Sequence, residues 1–195
     1  NHMYLSETFT ASGNKTVGKV NNQTVNACLH LNGKTLSGGN DNGLISMRGV
    51  TLNVMGNGSL NANNYLFRVQ NTCTINIYGG EHTTATAEGY AARFVGNDNT
   101  FNVYGGTISR SIRMCSETNF TVGSGTVNIK GGNVSDITAN AGTVNVEKGT
   151  VLTVTNAGAA AEVSGGSVIT LNANSGTTDI TGGTVTTANV AGGTF

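Results

Sequence analysis

An all-β chain wound into a solenoid is predicted by three observations. The first is a phrase that recurs eight times in 195 residues: apolar, polar, apolar, one variable residue, usually a Gly pair, polar, apolar. It runs from Leu29-His30-Leu31-Asn32-Gly33-Lys34-Thr35-Leu36 to Thr178-Asp179-Ile180-Thr181-Gly182-Gly183-Thr184-Val185. The second is its spacing. The centres Leu31, Val54, Ile77, Val103, Ile129, Val146, Val163 and Ile180 are separated by 23, 23, 26, 26, 17, 17 and 17 residues. The third is the strand-like alternation inside each copy, which sends successive side chains to opposite faces. A repeat of this length built from strand alone marks coils stacked on one continuous core.

Composition agrees. Glycine stands at 29 residues, about twice its ordinary share of roughly 7%, as corners that need a left-handed backbone require. Proline is absent, which fits a backbone whose N–H groups are nearly all needed by neighbouring strands. Only 6% of the residues are aromatic, and a narrow coil needs no more, because a few Val, Ile, Leu and Ala fill it.

Taken in order, Asn1-His2-Met3 reads as a cloning remnant, so the native start is expected to have been removed and the lack of a signal peptide here carries little information. Residues 4–26 read as an irregular N-terminal cap, covering apolar side chains and strand edges that the first coil would otherwise expose. Coils fill 27–195. The early ones carry six to nine extra residues in turn-rich stretches, Ser37–Gly43 and Thr83–Gly89, read as projecting loops or a wider coil. The later ones are bare. Val127, Ile129, Val134, Ile137 and Ala139 recur as Val144, Val146, Val151 and Val154, then as Val163, Val168, Leu171 and Ala173, then as Ile180, Val185, Ala188 and Val190. Three turn positions per coil predict a triangular cross-section. Val190–Phe195 opens a further coil and stops, as expected of a segment cut from a longer repetitive protein. About nine coils at about 4.8 Å each make a rod roughly 40 Å long.

Cys28–Leu36 resembles the "LDLNGKTI" opening of right-handed parallel β-helix domains of bacterial surface and secreted proteins, the pectate-lyase-like and adhesin-type solenoids. Ile75–Gly80 and Phe101–Ser109 resemble the "LNIYGGTIS" phrases that follow it, and His30 departs from the usual Asp. The resemblance covers residue 27 onward. It implies a single-stranded, right-handed parallel β-helix at a bacterial surface or outside the cell. It is poor for activity, because the same scaffold serves adhesins, lyases, glycosidases and phage tailspikes.

Ten acidic and ten basic residues balance to zero, which weighs against a general nucleic-acid binder, since that would need a basic stripe to displace counterions. No apolar run is long enough for a membrane span. Cys28, Cys73 and Cys115 fit neither a zinc pattern nor a closed disulfide framework, and read as small buried residues.

Aligned copies create columns. Thr51, Thr74, Thr100, Thr126 and Thr143 form one, and Asn53, Asn76, Asn102, Asn128 and Asn145 another, with Ala160/Glu162 and Thr177/Asp179 continuing them. Stacked Asn amides are expected to bond along the axis. Beside them lie Met55, Tyr78, Tyr104 and Lys130. The binding face assigned is Asn53, Asn76, Tyr78, Asn102, Tyr104 and Asn128, where ring faces meet a sugar and amides its hydroxyls. A basic column, Arg68, Arg93 and Arg113, is the second candidate, for an acidic polysaccharide or simply as solvated charge.

Catalysis has little to stand on. Glu81, His82, Glu88, Arg93 and Asp98 share one long coil, but the acids are scattered and no triad, phosphate loop or metal motif appears. No catalytic or metal-binding residue is assigned. Calcium is the one cofactor considered, at Asn40-Asp41-Asn42-Gly43 and Asn97-Asp98-Asn99, where ordinary Asx turns account for the same residues. The expectation is a non-catalytic adhesive or structural module facing a glycan or a host or environmental surface. A polysaccharide-degrading enzyme is the alternative. An ice-binding solenoid comes third, since Lys130, Glu147, Glu162 and the tyrosines spoil a flat Thr/Asn array.

Overall fold

The computed structural model describes residues 1–18, 25–114 and 124–195. Among these every regular element is a strand, and all strand pairings are parallel. The chain makes three short strands per circuit. They are β1 (His2–Tyr4), β2 (Phe9–Ala11) and β3 (Lys15–Gly18), then β4 (Val25–His30), β5 (Thr35–Gly38) and β6 (Ile45–Arg48). Next come β7 (Val50–Met55), β8 (Ser59–Ala62) and β9 (Tyr65–Gln70), and β10 (Thr74–Ile77), β11 (Glu81–Thr84) and β12 (Tyr90–Phe94). The circuit of β13 (Asn99–Val103), β14 (Thr107–Ile108) and β15 (Ser111–Met114) follows. After it the corners tighten, and strands run on through them as β16 (Gly125–Ala139), β17 (Thr143–Val163), β18 (Ser167–Ile180) and β19 (Thr184–Val190).

Each of the short strands β1–β12 pairs with the strand three places on, so three parallel ladders surround a single core in a β-solenoid-like stack. Alternation turns one side chain in two inward. Leu29, Val54, Ile77, Val103, Ile129 and Val146 are all buried and form one inner column of the first ladder. Each such side chain contributes roughly 1.5–3 kcal/mol by leaving water. The core tapers along the rod. Phe67 and Phe101 meet edge to face, centroids 5.9 Å apart, in the early circuits, whereas Val, Ala, Ile and Leu fill the later ones. Corners keep Gly where strands stack closely: Gly106 has φ 83°, and a Cβ there would lie 2.5 Å from the Gly80 carbonyl oxygen.

Several expectations need correction. Residues 4–18 are not irregular: β1, β2 and β3 stack in register on β4, β5 and β6, and Leu5 and Val17 pack against the core. His2 and Met3 belong to this stacking, paired with Cys28 and Leu29. The first repeat step also shifts. Val54 pairs with Leu29, not Leu31, while Leu31 is buried at a turn closed by the Lys34 N–H donating to the Leu31 carbonyl at 2.8 Å. A slip of two residues preserves every inward position, so alternation could not detect it. Thr83 and Thr84 belong to β11, which leaves 85–89 as the loop. Cys28 is half-buried on the outward Asn column, whereas Cys73 is buried as expected; Cys115 lies outside the described residues. In the last circuit Ile180 and Val190 are aligned as predicted but exposed.

Candidate functional site

The first ladder carries the predicted polar column. Thr51, Thr74, Thr100, Thr126 and Thr143 align in register, and so do Asn53, Asn76, Asn102, Asn128 and Asn145. Each Asn Nδ2 donates to the Oδ1 of the preceding coil, at 2.8, 2.7, 2.8 and 2.7 Å from Asn76 through Asn145. At the N-terminal end Asn53 Nδ2 meets the Ala27 carbonyl at 3.4 Å and the Cys28 sulfur at 3.6 Å. The column therefore satisfies itself. Beyond it the structure sets Glu162 opposite Asp179, both exposed, as the aligned repeats predict.

Tyr78 and Tyr104 stand beside the ladder, centroids 4.8 Å apart and 7° from parallel. Lys130 Nζ lies 6.0 Å from the Tyr104 centroid and 3.7 Å from Glu147 Oε1. One ring surface of each tyrosine thus covers the other's, and the two residues are 45% and 41% exposed. The same column continues towards the N-terminus through Met55 to His30 and Tyr4, stacked at 4.3 Å. In the sequence the two-residue slip hides this alignment.

The third ladder brings Arg68, Arg93 and Arg113 into register. They are half-buried rather than freely solvated. Arg93 lies over Tyr65, 5.4 Å from its centroid. Arg113 lies 4.1 Å over Tyr90 and donates from Nη1 to its hydroxyl at 2.8 Å. Tyr65 and Tyr90 stack on each other at 5.4 Å. Stacking like charges is unfavourable in itself, and the tyrosine faces offset it through cation–π attraction. The recurrence of Tyr-x-x-Arg at 65–68 and 90–93 was the available signal for this lattice. Towards the C-terminus the column becomes Thr138, Thr155, Asn172 and Asn189, and Asn189 Nδ2 donates to Asn172 Oδ1 at 2.9 Å.

The loose group Glu81, His82, Glu88, Arg93 and Asp98 does not assemble around His82. That side chain is fully buried in a column otherwise formed by Leu36, Leu60, Ile108 and Val134. Its Nδ1 accepts the Leu60 N–H at 3.3 Å, and Nε2 donates to the Gly79 carbonyl at 2.9 Å, which defines the neutral tautomer. Burial pushes its pKa below the ordinary value, against smaller opposing effects from the Gly79 carbonyl and Glu81. Glu81, Glu88 and Asp98 are exposed.

The two Asx stretches are hydrogen-bonded turns. Asn40 Oδ1 accepts the Asn42 N–H at 2.9 Å, and Asp41 Oδ1 accepts from Asn64 at 3.4 Å. Asn99 is buried, with Oδ1 taking the Cys73 N–H at 3.0 Å and Nδ2 donating to the Gly96 carbonyl at 2.7 Å. Among the described residues no three His, Cys, Asp or Glu side chains gather closely enough to hold a metal ion, and no helix is long and apolar enough to cross a membrane. No protein-family model, curated protein or solved structure matches this chain, so its functional reading rests on its own residues.

Proposed function

We propose that the chain is a non-catalytic structural and adhesive module, a right-handed parallel β-helix of about nine coils displayed at a bacterial surface or secreted. The observation that carries this reading is the amide ladder from Asn53 to Asn145, in which neighbouring Asn side chains hydrogen-bond to one another along the rod. A face so satisfied is stiff and regular, and it supplies spacing rather than chemistry. Beside it the tyrosine edges and hydroxyls and the Thr column offer repeated shallow contacts to a glycan. Such contacts are weak singly and gain strength through multivalency.

The test is a glycan array probed with the protein and with the Tyr78→Ala/Tyr104→Ala double variant. Loss of the bound set in the double variant supports the face as the contact surface. Unchanged binding removes Tyr78 and Tyr104 from it.

A further inference from the structure

We infer that the ledge where wide coils give way to narrow ones binds a single sugar unit carrying a tetrahedral oxyanion, a sulfate or phosphate ester. The ledge follows from corner lengths. Between β11 and β12 the chain takes five residues, 85–89, whereas β14 and β15 are joined by Ser109 and Arg110 alone. One circuit later the strand runs through the same corner within β16. The loop overhangs the shorter corners, and a cleft of about 280 Å³ opens there, with Arg110, Ser111, Arg113, Asp136, Thr138 and Thr153 in its wall.

Two guanidinium groups are fixed in this wall by neutral partners. Arg110 donates from Nε to Thr84 Oγ1 at 3.0 Å and from Nη2 to the Thr84 carbonyl at 3.2 Å. Arg113 is held over Tyr90 and bonded to its hydroxyl. Neither pairs with a carboxylate among the described residues: the nearest acid in the wall, Asp136, takes a hydrogen bond from the Ser135 hydroxyl at 2.7 Å. Among the described residues no carboxylate compensates their charge. Furthermore, Arg113 Nε and Ser111 Oγ are buried without a hydrogen-bond partner. Buried polar atoms are ordinarily satisfied, and an oxyanion seated between them would accept from both.

The donor set selects the ligand. Two guanidinium forks and a hydroxyl approach from different directions, which suits three oxygens on a tetrahedral centre better than the two of a planar carboxylate. Asp136 repels a second anionic group, so the ligand carries one oxyanion with a neutral remainder. Its carboxylate and the Thr138 and Thr153 hydroxyls match sugar hydroxyls. A cleft just below the usual range of about 300–1,000 Å³ has room for one unit rather than a chain. The site lies on a different face from Tyr78 and Tyr104 and does not depend on their role.

Isothermal titration with glucose 6-sulfate, glucose 6-phosphate, glucuronate, glucose and inorganic sulfate tests the assignment. Binding of either ester, weakened about tenfold or more by Arg110→Gln and measurably by Ser111→Ala, is the expected result. Which ester binds more tightly identifies the group. Circular dichroism melts confirm that both variants stay folded, and Arg48→Gln, at an exposed position outside the cleft, should bind as the parent does. The Tyr78→Ala/Tyr104→Ala variant should also bind the esters unchanged, which separates failure here from failure of the tyrosine face. Glucuronate binding as tightly as the esters, inorganic sulfate alone binding, no ester binding at millimolar concentration, or equal affinity in Arg110→Gln would each overturn the proposal.

Discussion

The wide and narrow circuits share one hydrogen-bonding plan and differ in what their corners contain. Along the Asn ladder the step is 23 or 26 residues up to Asn128 and 17 from Asn128 to Asn145. The wide circuits use their surplus for loops such as 85–89 and hold large core side chains, Phe67 and Phe101, together with a buried histidine. The narrow ones have no surplus. There Asn156 is wholly buried at a corner, in a column whose other members are Met114, Ala139, Ala173 and Val190. Its Oδ1 accepts the N–H groups of Gly158 and Ala159, and its Nδ2 donates to the Thr177 carbonyl and Thr178 hydroxyl. The wide corner at 85–89 is closed by extra backbone, and this narrow corner by one fully satisfied side chain. At the change of coil width the loop 85–89 overhangs a shorter neighbour, and the cleft beside Arg110 and Arg113 opens there.

The sharpest way to break this contrast is Asn156→Ala. It leaves two N–H groups and a carbonyl in the corner without their partner, at about 1–3 kcal/mol each. A loss of at least about 3 kcal/mol is expected in chemical denaturation. An unchanged midpoint would mean that the backbone alone closes the corner.

His82 probes the wide circuits. Its folded-state pKa is depressed by burial, so as pH falls from about 6.5 the unfolded chain takes up the proton first. Stability should then decline with a slope of up to about 1.4 kcal/mol per pH unit, until the folded form also protonates. Denaturation midpoints between about pH 7.5 and pH 5.5 measure it. His82→Gln retains an acceptor and a donor and should flatten that profile, while carboxylate titration acts at lower pH. A profile unaltered by His82→Gln would place the acid sensitivity elsewhere.

The smallest effect is expected at Thr72, a β-branched residue at φ 60° on a wide corner. Asn tolerates this conformation better. Thr72→Asn should therefore raise stability by about 0.5–1 kcal/mol, read as a rise of a few degrees in melting temperature. A fall would show that the Thr side chain makes a contact worth more than the strain.

Much of the architecture was legible in the chain. The repeat placed Thr51 beside Thr74 and Asn76 beside Asn102, because residues one circuit apart must pair when coils stack in parallel. It likewise aligned Arg68, Arg93 and Arg113. What it could not supply was the reach of each side chain. Tyr78 and Tyr104 were correctly neighbours, yet whether their faces met a ligand or each other depended on ring orientation. Arg113 over Tyr90 needed the bulge between Tyr90 and Ala92, which shifts the register by one residue. Asn156-Ala157-Gly158 reads as an ordinary turn, because nothing local marks an amide that bonds across its own corner and into the next coil.

Alternation and repeat length, both properties of the linear chain, dictated the parallel stack, the inward residues and the outward columns. A two-residue slip leaves the stack and the inward and outward faces intact and alters only which residues share a column, so the pairing of Val54 with Leu29 rather than Leu31 was decided only when Leu31 was folded into a turn. The coil widths were equally countable, but the cleft they create is not: it exists because a loop of one circuit stands over the short corner of the next. That is a relation between chain segments brought together by stacking, and it has no counterpart in any single repeat.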